Sequence, residues 1–140
     1  MSVQKQEPGT EETQVVEFRL GEDLCAIDIE QVDSIVEVKK VTRIPRTKDS
    51  IEGVMDLRGT TTIVNPKTVL GLTDSGTGNR VIVFETEDER SIGWVIDEVN
   101  QVVSLDDVEV DESVESQSVH GVVRQDDELV IWVKPSAINV

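Results

Sequence analysis

The sequence predicts an all-β fold made from two copies of one small barrel-forming unit, and three observations carry that prediction. Ten short apolar runs alternate with polar turns along the 140 residues. Valine and isoleucine dominate these runs, which suits a pleated, half-buried surface and disfavours long helices. The runs also recur: anchors in the first half of the chain reappear in the same order in the second half.

In order, the predicted strands are VVEFRL from Val15, LCAIDI from Leu24, VDSIVEV from Val32, GVMDL from Gly53 and TTTIV from Thr60 in the first copy. The second copy holds VIVFET from Val81, SIGWVI from Ser91, NQVVSL from Asn100, GVVRQ from Gly121 and ELVIWV from Glu128. One helix start stands out after Val64. Asn65 can cap it, Pro66 suits the first helical position, and Gly71 marks its end. The repeat anchors are Phe18 and Phe84, 66 residues apart, and Val32 and Val99, 67 apart. Gly53 with Gly121, Ile63 with Ile131 and Leu70 with Ile138 are each 68 apart.

Five short antiparallel strands in about sixty residues leave exposed edges, and closure into a barrel removes most of that liability. The domain reading is therefore a disordered tail over 1–14, a first barrel over 15–72, a linker TDSGTGN over 73–79 and a second barrel over 80–140. Two such barrels side by side bury a further apolar layer and leave a groove, a common place for binding.

Charge narrows the partners. With 29 acidic residues against 13 basic ones the formal charge is −16, which repels phosphate backbones and anionic lipid. Nucleic acid and membrane insertion are excluded on that ground. The acidic residues are spread along the chain and lysines are few, as in proteins of halophilic archaea adapted to high salt. No apolar run approaches a signal peptide core or the roughly 18 residues of a membrane span, so the expected location is the cytoplasm. The single cysteine, Cys25, alternates with apolar neighbours and reads as a buried structural thiol.

No catalytic constellation is present in the sequence. His120, before Gly121 in an expected turn, has no nucleophile that can be placed beside it. GLTDSGTG lacks the lysine and helix of a phosphate loop. SLDDVEVDES lacks the spacing of a calcium loop and reads as a solvated acidic face. The chain is thus a binding module, with no enzyme activity, cofactor or metal expected. Its exceptions become informative, above all Arg58 within SIEGVMDLRGTTTIVNP: a solvated turn residue, or a contact for a partner.

The stretch IEGVMDLRGTTTIVNPKTVLGL resembles the signature of the CheW family, adaptors of bacterial and archaeal chemotaxis. FRLGEDLCAIDIEQVDSI resembles that family's opening strands, VTRIPRTKDSIEG the loop before the signature, and SIGWVIDEVNQVVSL its second-half segment. The likeness runs from Val15 to Val140, with Asp56 and Asn65 departing from the usual asparagine and aspartate at those places. It implies two five-stranded SH3-like barrels side by side, with a short helix after the first. It further implies a scaffold that couples the cytoplasmic tips of chemoreceptors to the histidine kinase CheA. The receptor hairpin would lie in the groove, and a homologous kinase domain would meet the barrel edges. By position, Arg58 is then a partner-facing arginine whose planar fork suits carboxylates or carbonyls. Val32, Ile35 and Val102 match receptor-groove positions, with buried core as their other reading. Ile44 and Pro45 offer a kinase edge. Gly53, Gly59 and Gly93 are structural, serving a bulge or a close strand approach. The alternative function is the same fold used as a regulatory module of a kinase or another signalling complex.

Overall fold

Alternation along the strands explains the architecture of the computed structural model, which describes residues 13–57, 59–72, 78–86, 90–106 and 108–139. The first repeat supplies β1 (Gln14–Leu20), β2 (Asp23–Asp28), β3 (Val32–Glu37), β4 (Val41–Thr42), β5 (Ile51–Asp56), β6 (Thr60–Val64) and helix α1 (Pro66–Leu70). The second supplies β7 (Arg80–Phe84), β8 (Ile92–Ile96), β9 (Glu98–Ser104), β10 (Glu109–Asp111), β11 (Val119–Gln125), β12 (Glu128–Val133) and helix α2 (Pro135–Ile138). All ten predicted runs are strands. β4 and β10, two and three residues long, are additions at sheet edges, too short to give an apolar pattern.

The strands form two six-stranded sheets that curl into SH3-like barrels, ordered β3-β7-β8-β6-β5-β4 and β10-β11-β12-β2-β1-β9. The barrels are therefore not the two contiguous halves 15–72 and 80–140. Each repeat gives its first two strands to the other repeat's barrel, where β2 pairs in parallel with β12 and β8 in parallel with β6. The physical reason lies in β1, β2, β7 and β8, which between their end residues are buried on both faces and, Glu17 and Arg19 of β1 apart, apolar on both. Val15, Leu24 and Ala26 point into one barrel, and Val81 and Val83 into the other. The alternate residues, among them Phe18, Cys25, Ile27, Ile82, Phe84 and Trp94, fill a shared layer between the barrels. Strands buried on both faces belong at the centre, so both pairs cross to the contact plane. The expected tail and linker fall mostly outside the described residues, at 1–12 and 73–77; Gln14, placed in the tail, opens β1.

The duplication extends to irregularities. β1 and β9 shift register between Glu17 and Phe18, and β3 and β7 shift between Val32 and Ser34. Phe18 thus faces Val99 as Phe84 faces Val32. Gly53 and Gly121 occupy matching bulges: a Cβ at Gly53 would lie 2.2 Å from the Thr42 carbonyl oxygen, and one at Gly121 2.7 Å from that of Asp111. The β11–β12 hairpin is one residue longer than β5–β6, because Asp56 pairs with Thr60 whereas Arg124 pairs with Leu129. Beyond that turn the offset becomes 69, and Ile63 corresponds to Trp132 rather than Ile131: the two face Gly93 and Ala26.

Helix α1 follows its local chemistry. The Asn65 Oδ1 accepts the Lys67 N–H at 3.0 Å, Pro66 begins the helix, and Gly71 ends it in the left-handed region at φ 72°. Helix α2 repeats the Pro start at Pro135.

Candidate functional site

No helix among the described residues is long and apolar enough to cross a membrane, and among them no three His, Cys, Asp or Glu side chains converge as a metal set. Two clefts and two of the six large apolar side chains exposed among the described residues, Ile35 and Val102, bear on binding. The larger cleft, of about 740 Å³, opens at the mouth of the β3–β8 barrel. Val36, Leu57 and Val83 form its apolar wall, while Ser34, Thr60, Thr61 and Ser91 add hydroxyls and Asp33 and Lys39 flank them. Thr61 and Ser91 share a hydrogen bond of 2.8 Å, and the Leu57 N–H donates to the Gly59 carbonyl at 3.0 Å. Small hydroxyls on strand ends leave room that larger side chains would fill.

The residues singled out in the sequence are distributed over three places. Arg58 lies outside the described residues; its sequence neighbours Leu57 and Gly59 both line the larger cleft. Gly59 holds φ +134°, a region that L side chains rarely adopt. Val32 is half-buried against the inter-barrel layer. Ile35 and Val102 are exposed at 39% and 50%, facing Ile82 and Val16 of that layer. They are equivalent by the repeat, one on each outer strand β3 and β9, on the sheet face that continues inward as the shared core. Gly93 packs under Val81, whose Cγ1 would lie 2.6 Å from an added Cβ. Ile44 and Pro45 belong to a separate exposed loop between β4 and β5, where a cleft of about 420 Å³ shares no lining residue with the first.

Three further features lie outside the site residues chosen from the sequence. Val99 is the counterpart of Val32, and its 67-residue offset was the available sign. Lys67, only 3% exposed, reaches Asp97 at 3.2 Å, and the same carboxylate accepts the Gly21 N–H. This ties α1 to the β8–β9 junction and the β1–β2 turn. His120 lies inside β11 rather than in a turn, stacked 4.4 Å from Trp132, whose Nε1–H donates to Asp28 at 2.7 Å. Burial, with Asp23 adding to it, pushes the Cys25 thiol up to about 12, so it stays protonated and unreactive. In the acidic stretch, Asp111 caps the turn Glu112–Val114 by accepting the Ser113 N–H and O–H, which hold its carboxyl below the usual range.

Against known proteins, residues 14–139 match the family model of the CheW-like domain. The chain belongs to the CheW-like family. Among relatives, it is 33% identical over 129 residues to the chemotaxis protein CheW of Treponema pallidum, covering 82% of this chain and 75% of that one. It is 27% identical over 128 residues to the chemotaxis protein CheW of Thermotoga maritima, covering 87% and 84%. Among solved structures, the scaffolding protein TtCheW from Thermoanaerobacter tengcongensis superposes with a TM-score of 0.77 at 28% identity, over 93% of this chain and 90% of that one. The crossed pair of barrels is thus the architecture of a CheW-like domain, and the clefts described above are features of this member of the family.

Proposed function

We propose that this protein is a non-catalytic chemotaxis scaffold of the cytoplasm, coupling chemoreceptor tips to the histidine kinase CheA in signalling arrays. The observation that carries the reading is the family match across 14–139, and the placement of Ile35 and Val102 supports it. Two exposed apolar side chains at equivalent positions, continuous with a buried layer, suit an apolar stripe on a helical hairpin. Arg58, between two cleft-lining residues in sequence, supplies a fork for carboxylates or carbonyls of the same partner. Ile44 and Pro45 supply a second edge for a homologous kinase domain. Holding kinase and receptor together raises their effective concentration, and a ligand-dependent change in the receptor then biases the kinase's populations.

The experiment is co-sedimentation of the chain with receptor-bearing membranes and kinase. Arg58→Glu is expected to weaken recovery of both while leaving the thermal melt in place. Recovery equal to wild type would remove Arg58 from the site, and failure of the wild-type chain to co-sediment at all would overturn the scaffold reading.

A further inference from the structure

We infer that the loop between β4 and β5, carrying Arg43, Arg46 and Lys48, is a cationic seat for a carboxylate-bearing protein surface. The segment KKVTRIPRTK holds five of the chain's 13 basic residues and no acidic one. In a molecule with 29 acidic residues, nearby carboxylates are plentiful, and the other described cations have found partners. Arg19 pairs with Glu128, Lys67 with Asp97, Arg80 with Glu37, Arg124 with Glu109 and Lys134 with Glu115. Arg90 donates to the Asn139 carbonyl. Among the described residues, none of the segment's five cations has an ion-pair partner, although Asp49 and Glu52 border the same cleft as Arg43, Arg46 and Lys48.

The loop is built to present this charge. Residues 42–49 are all exposed, and Ile44 (41% exposed) and Pro45 lie among Arg43, Arg46 and Lys48 in the cleft of about 420 Å³. The Thr47 hydroxyl donates to the Ile44 carbonyl at 3.0 Å, and the Ile51 N–H donates to the Lys48 carbonyl at 3.0 Å. Arg46 holds φ +65°, a conformation an L residue adopts at some cost. An apolar centre with a charged rim is the anatomy of a protein interface.

Charge also selects the occupant. A long polyanion, such as RNA or an anionic bilayer, extends from the loop onto the rest of the chain, where 29 acidic residues outnumber the eight remaining basic ones, and is repelled there. A cluster of Asp and Glu on a folded partner is short enough to stay on the loop, within a Debye length of about 8 Å. The inference rests on reading Ile44 and Pro45 as the kinase-facing edge. It adds the chemistry of the facing surface: acidic side chains around an apolar contact.

The test measures binding of the full chain to the regulatory domain of the same organism's chemotaxis kinase, at roughly 50 mM and 500 mM salt. The variants are the triple change Arg43→Gln, Arg46→Gln and Lys48→Gln, and separately Ile44→Asp, each checked by thermal melt. The triple variant is expected to bind about tenfold more weakly at low salt and to lose most of the salt dependence. Ile44→Asp is expected to lose binding at both salts. A triple variant that matches wild type at both salts overturns the cationic seat. Wild-type binding by Ile44→Asp overturns the kinase-edge reading instead, so the two failures are distinguishable. Tighter wild-type binding to a 20-nucleotide RNA or to phosphatidylserine vesicles than to the kinase domain overturns the choice of an acidic protein.

Discussion

In the β3–β8 barrel, Val83 borders an open cleft of about 740 Å³. At the corresponding place in the other barrel, Glu17 is 4% exposed and accepts the side-chain amides of Asn100 and Gln101 at 3.4 Å each. The register makes the comparison direct: Val83 faces Ser34, and Glu17 faces Gln101. The hairpins beside the two mouths differ in the same sense. One reads Leu57-Arg58-Gly59, while the other, a residue longer, turns through Asp126 and Asp127. The strand plan, down to the bulges, is shared, so the difference between the mouths lies in the side chains and in the length of one hairpin. One copy keeps short hydroxyls at its mouth; the other is occupied by its own polar network and fringed with like charge.

The strongest way to break the comparison is to remove what both barrels share. Trp94 is fully buried, lies edge-on to Phe84 at 4.7 Å and Phe18 at 6.3 Å, and donates its Nε1–H to Asn139 at 2.7 Å. Phe84 belongs to one barrel and Phe18 to the other, so Trp94→Ala hollows the layer for both. A loss of about 3–5 kcal/mol is expected, read in urea unfolding by the fluorescence of the remaining Trp132. Unfolding of the Trp132 barrel at an unchanged midpoint would show that the barrels do not depend on a common core.

A smaller effect sharpens the difference between the mouths. Val83→Glu copies the closed mouth into the open one without the amides that satisfy Glu17. It is expected to cost about 1–3 kcal/mol and to weaken any ligand seated in the cleft. The reciprocal Glu17→Val leaves Asn100 and Gln101 exposed and free to hydrate, so stability is expected to stay within about 1 kcal/mol. Equal losses from the two substitutions would mean that the mouths are not chemically distinct.

Much of this plan is legible in the sequence. The ten runs, the cap at Asn65 and the repeat depend on local pattern, which a sequence displays directly. The exchange of β1–β2 and β7–β8 between barrels was not, because alternation says that a strand has two apolar faces and not which neighbours cover them. The runs VIVF and CAI carried that message, since strands apolar on both faces belong in the interior. The shift from 68 to 69 was hidden for another reason: one added turn residue leaves the apolar period intact. Ile35 and Val102 could be chosen by resemblance, yet their exposure beside a buried layer is a property of sheet edges. Lys67 was invisible as a buried cation, because its partner Asp97 is 30 residues away.

The finest test concerns one position of the shared layer that differs in chemistry between the repeats. Cys25 faces Ile131 in the parallel pair just as Ile92 faces Thr62, so the layer has a thiol on one side and a hydrocarbon on the other. Burial holds the folded thiol at about 12, above the 9.0 of an ordinary thiol. Between these values the unfolded chain releases a proton that the native chain keeps, so the thiol favours folding below about pH 9 and that contribution is lost as pH rises toward 12. A fall of about 1 kcal/mol by pH 10 is expected from this group. Cys25→Ala should be less stable at pH 7 through the lost packing but flatter above pH 9, by comparison of urea midpoints across the range. Parallel slopes for the two proteins would mean that the alkaline limb arises elsewhere, and that the thiol side of the layer opens to solvent before the chain unfolds.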